Sequence, residues 1–490
     1  MKKHLIIWML LLSQCSLSWA QSNEIGSGLS LKFSTNNYVD IGNVFDDLNF
    51  PFTFETWINP SMLPATRSGI FSTDNDITTY AGWWVRVNSA GKIEIEFGNG
   101  FGSGTQHRRG FVSVSAIKLN KWTHVSIICN SITDIDIYFN GVFQSIVPTD
   151  GFSSSTEIYH SAASGSIGKY TTVFASHFFE GQLDEIRIWN VARAENKIRN
   201  FMCQKADLSE PNLIAYWKGD ESISSNTVSD YTFPSENGNI IGNVLKINSG
   251  APIGDKSNYE YTTNWSDKKI VLNAPSGDQF KVKNISGMPA GIHAYYIGTT
   301  PYSSIGLNIA AEYYFGAFSA ETGSNATYKI RYSYSTSNGL VNPDNETFAD
   351  LAGRSDNSVK NWQDINAKLN ITDDIITRFN QASRGEYILN IESEGKQVES
   401  AVSADHGNSS NKIMVFPNPS VNMINFVLSK ELSDPITYSI YNLSGQLVLK
   451  LEQSNPNQIV NFDISNLSSG YYLVEGVSIA ERFSGTFEVQ

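Results

Sequence analysis

Apolar and polar positions alternate in short runs along most of the chain, and turn residues punctuate them. From Leu29, LSLKFSTNNYVDIGN holds two such runs broken at Asn36-Asn37, and FTFETWINP holds a third that stops at Pro60. GWWVRVNSAGKIEIEFGNG predicts a hairpin about Ser89-Ala90-Gly91. KWTHVSIICN is a further strand, and DIDIYFNGVFQ predicts a tight hairpin at Asn140-Gly141. So many short strands joined by turns predict an antiparallel sandwich.

GQLDEIRIWNVAR, from Gly181 to Arg193, reads as one strand running into a short helix. Alternation sets Asp184, Ile186 and Ile188 on one side and Leu183, Glu185, Arg187 and Trp189 on the other. A carboxylate sharing a face with two isoleucines is costly unless something compensates it. Just beyond, Ile198, Phe201 and Met202 fall at helical spacing and predict a small lid on the sandwich end. In GWWVRVN, Trp83, Val85 and Val87 take the core face, which leaves Trp84 and Arg86 opposite. In KIEIEFG, Ile93, Ile95 and Phe97 do the same and leave Glu94 and Glu96 opposite.

From Tyr259 the texture changes to KKIVLNAP, QFKVKNIS, HAYYIG, EYYFGAF and YKIRYSY, a second β-rich stretch ending near EYILNIES. EGKQVESAVSADHGNSSN is polar, lacks aromatics and reads as a linker. The expected organisation is a leader at 1–20, a jelly-roll domain at 23–248, a β-rich middle module at 259–395, a linker at 396–411 and a C-terminal domain at 412–490. A chain of 490 residues suits about three such units.

Composition narrows the class. Charged residues make up 17% and aromatics 12%, a balance that favours an all-β extracellular protein over a helical cytosolic enzyme. The net charge of −13 would repel nucleic acid. Lys2 and Lys3, the apolar run Leu5 to Leu12 and Ser18-Trp19-Ala20 together predict an export signal cut after Ala20. No later stretch approaches the ~20 apolar residues of a spanning helix. Export leaves Cys129 and Cys203, which either pair in an oxidising compartment or are two separate buried thiols.

Two stretches resemble known families. Gly28 to Val244 is similar to the laminin-G-like jelly rolls of the concanavalin A-like class. The marks are Asn37-Tyr38-Val39, Phe54-Glu55-Thr56-Trp57-Ile58, Lys121-Trp122-Thr123-His124-Val125, Tyr138-Phe139-Asn140-Gly141-Val142, Leu183-Asp184-Glu185-Ile186-Arg187 and Leu213-Ile214-Ala215-Tyr216-Trp217. The resemblance implies that this last run returns beside the first strand. Val415-Phe416-Pro417-Asn418-Pro419, then Tyr441-Asn442-Leu443-Ser444-Gly445-Gln446-Leu447-Val448, then Leu467-Ser468-Ser469-Gly470-Tyr471-Tyr472-Leu473-Val474 resemble the type A sorting domain of the type IX secretion system. That implies recognition by an outer-membrane export machinery; Glu481-Arg482-Phe483 stands where relatives often carry a Lys. The fold expected is all-β: a laminin-G-like jelly-roll sandwich, a β-rich middle module and a small C-terminal β-sandwich sorting domain.

Concanavalin A-like sandwiches include glycosidases, for which Glu94 with Glu96 and Asp134 with Asp136 have the alternate spacing of paired carboxylates. A solvated strand face is the expectation for both pairs. G-x-S-x-G, H-E-x-x-H and a phosphate-binding Gly loop are absent. Non-catalytic recognition of an extracellular glycan or protein is therefore the expected role, with a glycoside-active concanavalin A-like enzyme or a passive structural or adhesion protein as alternatives. Trp84 and Arg86, with His107 and Arg108 of the following loop, form the candidate ligand face, either as an exposed platform or covered by a neighbouring loop. Asp184 with Asp220 or Glu221 either holds calcium, which takes six to eight oxygens, or accepts backbone N–H bonds and binds nothing.

Overall fold

The computed structural model describes residues 26–392 apart from 173, 321–325 and 383, together with most of 411–489. The predicted leader, the polar stretch 396–410, Pro417-Asn418-Pro419, the Ser444-Gly445 turn and Glu481 lie outside the described residues. No helix among the described residues is long and apolar enough to cross a membrane.

The first sandwich packs two antiparallel sheets face to face. One runs Val142–Gln144, Asp134–Phe139, Thr123–Ser131, Phe52–Pro60, Gly181–Trp189, Leu29–Phe33, Leu245–Asn248. The other runs Ile146–Phe152, Arg108–Ala116, Lys92–Gly98, Trp83–Asn88, Arg67–Ser72, Gly165–Ile167, Tyr38–Gly42, Gly238–Ile241, Thr227–Val228. Between them lies a core of alternate residues, including Phe54, Phe71, Trp83, Ile95, Ile127 and Ile188. The turn at Asn140-Gly141 has both residues at positive φ, and Phe139 pairs with Val142 across it. Leu213–Trp217 does return to the sheet, but it pairs with the later half of Gly181–Trp189. The first strand instead has Leu245–Asn248 as its other neighbour.

Strict alternation fails in Gly181–Trp189. The register against Phe52–Pro60 shifts between Asp184 and Arg187, and Glu185 sits at φ +51°, the signature of a bulge. The extra residue reverses the parity, so Leu183, Ile186 and Ile188 all enter the sandwich core. Asp184 is thereby taken off the isoleucine face and lies opposite Trp57, on the outer side. The predicted conflict between the carboxylate and the isoleucines does not arise.

That outer side is itself buried. The helix Glu195–Met202 forms at the expected place, with Ile198, Phe201 and Met202 buried, but it is wedged between the sheet and a second sandwich rather than capping an end. Arg187 Nη1 donates to Phe201 O at 2.8 Å and Trp57 Nε1 donates to Met202 O at 2.7 Å. Tyr259 Oη reaches Asn196 O from the other side. The second sandwich begins at Lys256 and sets a seven-stranded sheet, centred on Tyr314–Ala320 and Arg384–Ile391, against a five-stranded one, centred on Thr327–Ser333. Trp57, Met202 and Cys203 belong to its hydrophobic core, so the two sandwiches form one compact unit.

Residues 411–489 form a separate unit of seven strands, ordered Leu447–Gln453, Ile436–Asn442, Gly470–Val477, Arg482–Val489, Asn411–Phe416, Met423–Leu428, Val460–Asp463. Asn411–Phe416 pairs parallel with Arg482–Val489 at its start and antiparallel with Met423–Leu428 further on, so one strand serves both halves. Phe426, Tyr438, Phe462 and Phe487 fill the core.

Cys129 and Cys203 are both buried free thiols, which corrects the disulfide reading. Cys129 belongs to the first core and Cys203 to the second. Alkylation without reductant should label neither thiol in the folded chain and both after denaturation; a peptide joining 129 to 203 would contradict this.

Two histidines meet at the junction between the sandwiches. His293 accepts or donates at Nε2 to Tyr261 Oη at 3.0 Å, and burial followed by the Arg199 charge pushes its pKa down to about 3. Burial, then Arg187, His293 and Arg193, lower His124 as well. An unfolded His titrates near ~6.5. Above that pH both states are neutral; below it the unfolded chain binds protons that the folded one refuses, so stability falls with falling pH. The slope is at most about 1.4 kcal/mol per pH unit for each such group. Melting temperature should fall from about pH 6.5 to pH 4, and less steeply in His293→Gln; an identical pH dependence in that variant would contradict the assignment.

Candidate functional site

The outer face of the nine-stranded sheet carries the residues singled out from sequence. Parity is as expected: Trp83, Val85 and Val87 point into the core, and Trp84 and Arg86 point away from it. Of the two alternatives for Trp84 the covered one holds, because it is only 3% exposed. A hairpin of Lys169–Thr171 and Ser176–Phe178 folds over this face, and Tyr170 stacks on Trp84 with centroids 6.3 Å apart and planes 2° from parallel. Tyr80 stacks on Trp84 at 5.7 Å, and His177 on Tyr170 at 4.7 Å. Gly69 permits the roof to close, since a Cβ there would lie 2.2 Å from the Tyr170 backbone nitrogen. The exposed-platform alternative for Trp84 is therefore ruled out: it is one of four rings in a continuous stack, with Tyr80, Tyr170 and His177.

Buried charges fill the rest of the layer. Arg86 Nε donates to Glu94 at 2.5 Å, Arg86 Nη2 to Glu96 at 2.6 Å, and Arg86 Nη1 to Tyr170 Oη at 3.4 Å. Arg108 is also buried, with Nη1 donating to Tyr80 Oη at 3.0 Å and its guanidinium 5.1 Å from the Tyr80 ring centre. Burial opposes the Arg86 charge, yet Glu96, Tyr170 and Glu94 together raise its pKa further above its ordinary value. For Glu94 burial pushes upward, but Arg86, Asn88 and Arg67 outweigh it and the net shift is downward. Glu94 and Glu96 are thus not on a solvated face; they are sealed under a roof around one arginine. A general acid needs a raised pKa and a path to substrate, and Glu94 has neither feature here.

His107 lies elsewhere, at the turn leading into Arg108–Ala116, packed on Gly102. This end of the sheet carries exposed aromatics that alternation cannot reveal: Phe101 is 83% exposed, Phe152 64% and Tyr159 49%. The loops bearing them are laced together. Gly82 N donates to Tyr159 O, Tyr159 N to Gly98 O, Asn99 N to His107 O, and Asn99 Nδ2 to Ser153 Oγ at 3.0 Å. The Tyr159 ring lies on Gly100, where a Cβ would sit 2.2 Å from Cδ1. Phe152 pairs with Arg109, whose Nε donates to Ser153 O.

The predicted cation residues sit on the other sheet and its return loop. Asp184 accepts from Glu185 N at 2.7 Å and from Ser249 Oγ at 2.5 Å. Burial, then the Glu185 and Asp220 charges, hold its carboxyl well above the usual carboxylate range. Asp220 accepts from Leu29 N at 2.6 Å with Lys218 Nζ 3.7 Å away. Glu221 accepts from Ser229 N and pairs with Lys246 Nζ at 2.8 Å. All three carboxylates have protein donors.

Two face-to-face antiparallel sheets make the first domain a β-sandwich of the jelly-roll type, and a separate β domain follows it. Residues 33–199 match the family described as the concanavalin A-like lectin/glucanases superfamily, and residues 414–483 match the secretion system C-terminal sorting domain. The chain thus carries a laminin-G-like, concanavalin A-like domain and a type IX sorting domain, and the latter supports export or placement at the outer cell surface. No curated protein matches the chain. Among solved structures it is similar to a candidate carbohydrate-binding protein from Bacteroides ovatus, at 22% identity over 47% of this chain, with TM-score 0.36. The match spans 63% of that protein, less than two thirds of its length. It is also similar to a SAP-like pentraxin from Limulus polyphemus (15% identity, 36% and 81% of the two chains, TM-score 0.24). A third is the CBM40 of the Ruminococcus gnavus IT-sialidase (9% identity, 36% and 95%, TM-score 0.27).

Removing Arg86 would strand two buried carboxylates. Arg86→Met should cost about 3–5 kcal/mol in urea unfolding, with Glu94→Gln/Glu96→Gln added to Arg86→Met recovering part of the loss. A near-neutral Arg86→Met would contradict the buried network.

Proposed function

We propose that the protein is an exported, non-catalytic recognition protein that binds glycan through the loop end of its nine-stranded sheet. The observation that carries this reading is the group of exposed aromatics Phe101, Phe152 and Tyr159, held on mutually hydrogen-bonded loops beside His107 and Arg109. Sugar rings present apolar C–H faces that stack on aromatic rings, while cationic and planar polar groups read hydroxyls and acidic substituents. Large exposed aromatics gathered on ordered loops are what a pre-organised sugar site requires. The family covers both lectins and glucanases. The salt-bridged state of Glu94 and Glu96 favours the lectin side of that pair.

Trp84, Arg86 and Arg108 act in this reading as the floor that holds the loops, not as ligand contacts. Asp184 beside Asp220 remains the carboxylate pair whose charge a calcium ion would offset, so calcium enters the test as a variable. A glycan array probed with the full chain, with calcium and with a chelator, should give saturable binding. Phe101→Ala and Tyr159→Ala should each weaken it about tenfold while leaving the melting temperature close to wild type. Absence of saturable binding by folded protein, or binding indifferent to both substitutions, would contradict the proposal.

A further inference from the structure

A second cluster lies at the rim where three loops of the first sandwich meet. Asp46 follows the strand Tyr38–Gly42, Asp74 follows Arg67–Ser72, and His160 belongs to the segment before Gly165–Ile167. One carboxylate oxygen from each aspartate and one ring nitrogen of His160 lie within 4.8 Å of one another. Asp74 is buried and rigidly placed: Oδ1 accepts from Ser161 N at 2.6 Å and Ser161 Oγ at 3.0 Å, and Oδ2 accepts from Thr73 Oγ1 at 2.8 Å. Gly82 makes room for it, since a Cβ there would fall 2.1 Å from Oδ2. Asp46 is exposed, with Oδ2 accepting from Asn43 Nδ2 at 2.9 Å.

His160 borders this cluster and touches Asp74 through Nδ1. Its side chain is 9% exposed, Nδ1 stands 3.1 Å from Asp74 Oδ2, and Nε2 is buried with no hydrogen-bond partner. A buried ring nitrogen left unpaired is costly in either tautomer. In the neutral form one nitrogen keeps a lone pair, and imidazole with two carboxylates is a donor set for first-row transition ions. Calcium, by contrast, takes six to eight oxygens and does not favour nitrogen.

We propose that Asp46, Asp74 and His160 bind one divalent transition-metal ion of the zinc class, with its remaining positions open to water or ligand. The site is separate from the carboxylates at Asp184 and Asp220 and does not depend on the glycan reading. Three loops from different parts of the sequence would be clamped by one ion, with the exposed Asp46 closing a site whose other two ligands are already in place.

The test is calorimetric titration of zinc chloride into the chelator-treated full chain, with calcium chloride as the comparison. One equivalent of zinc should bind saturably, and excess calcium should not displace it. His160→Ala and Asp46→Asn should each weaken binding by at least about tenfold. Asp46→Asn removes only an exposed charge, so its unchanged melting curve separates loss of a ligand from loss of the fold. No zinc binding, zinc binding that either substitution leaves unchanged, or displacement by calcium would overturn the proposal.

Discussion

Arg187 is the point on which the arrangement of the two sandwiches, residues 26–392, turns. Its guanidinium is buried, pairs with Glu185, and donates to Phe201 O and Gln204 O, so one side chain ties the sheet to the helix and to the segment that enters the second sandwich. A buried guanidinium is tolerable only when its donors are met and its charge is paired. Tyr216 Oη donates to Glu185 at 2.5 Å and Trp189 Nε1 donates to Glu55 at 3.0 Å, which extends the same polar layer across the sheet. These groups lie on the face that an isolated antiparallel sandwich would leave to water. The second sandwich covers them, and the two form one compact unit.

The nine-stranded sheet obeys the same constraint with different means. Arg86, Glu94, Glu96 and Arg108 lie on its outer face and are closed over by a hairpin from the same domain, not by a neighbouring module. The charged part of each outer face is therefore covered, although Val114 and Val147 at the far end of the nine-stranded sheet stay exposed. The proposed recognition site lies at the loop ends, where Phe101, Phe152 and Tyr159 reach solvent. In that proposal the floor of charges and stacked rings serves rigidity, and the loops serve contact.

Much of this was legible in the residues. Alternation placed Trp84, Arg86, Glu94 and Glu96 on the non-core face, and Asn140-Gly141 marked its hairpin. The order of short runs identified both the sandwich and the sorting domain. Three things were hidden for physical reasons. A bulge at Glu185 reverses parity through one left-handed residue, and the residue there is not a glycine that would flag it. Burial of an outer face depends on what packs over it, and the hairpin that covers Trp84 begins at Lys169, 85 residues further along the sequence. The aromatics at the loop end have no periodicity, and Asp46, Asp74 and His160 have no common spacing, since only the folded rim brings them together.

The claim that recognition resides in the loops rather than on the sheet is tested most directly by hydrogen–deuterium exchange of the full chain, with and without a glycan that it binds. Protection on binding should appear in residues 99–109 and 151–160 and be absent from Trp83–Asn88, which is already shielded by its roof. Protection centred on Trp83–Asn88 and Lys92–Gly98, or exchange that rises in the 169–178 hairpin as if it opened to admit the sugar, would contradict the account.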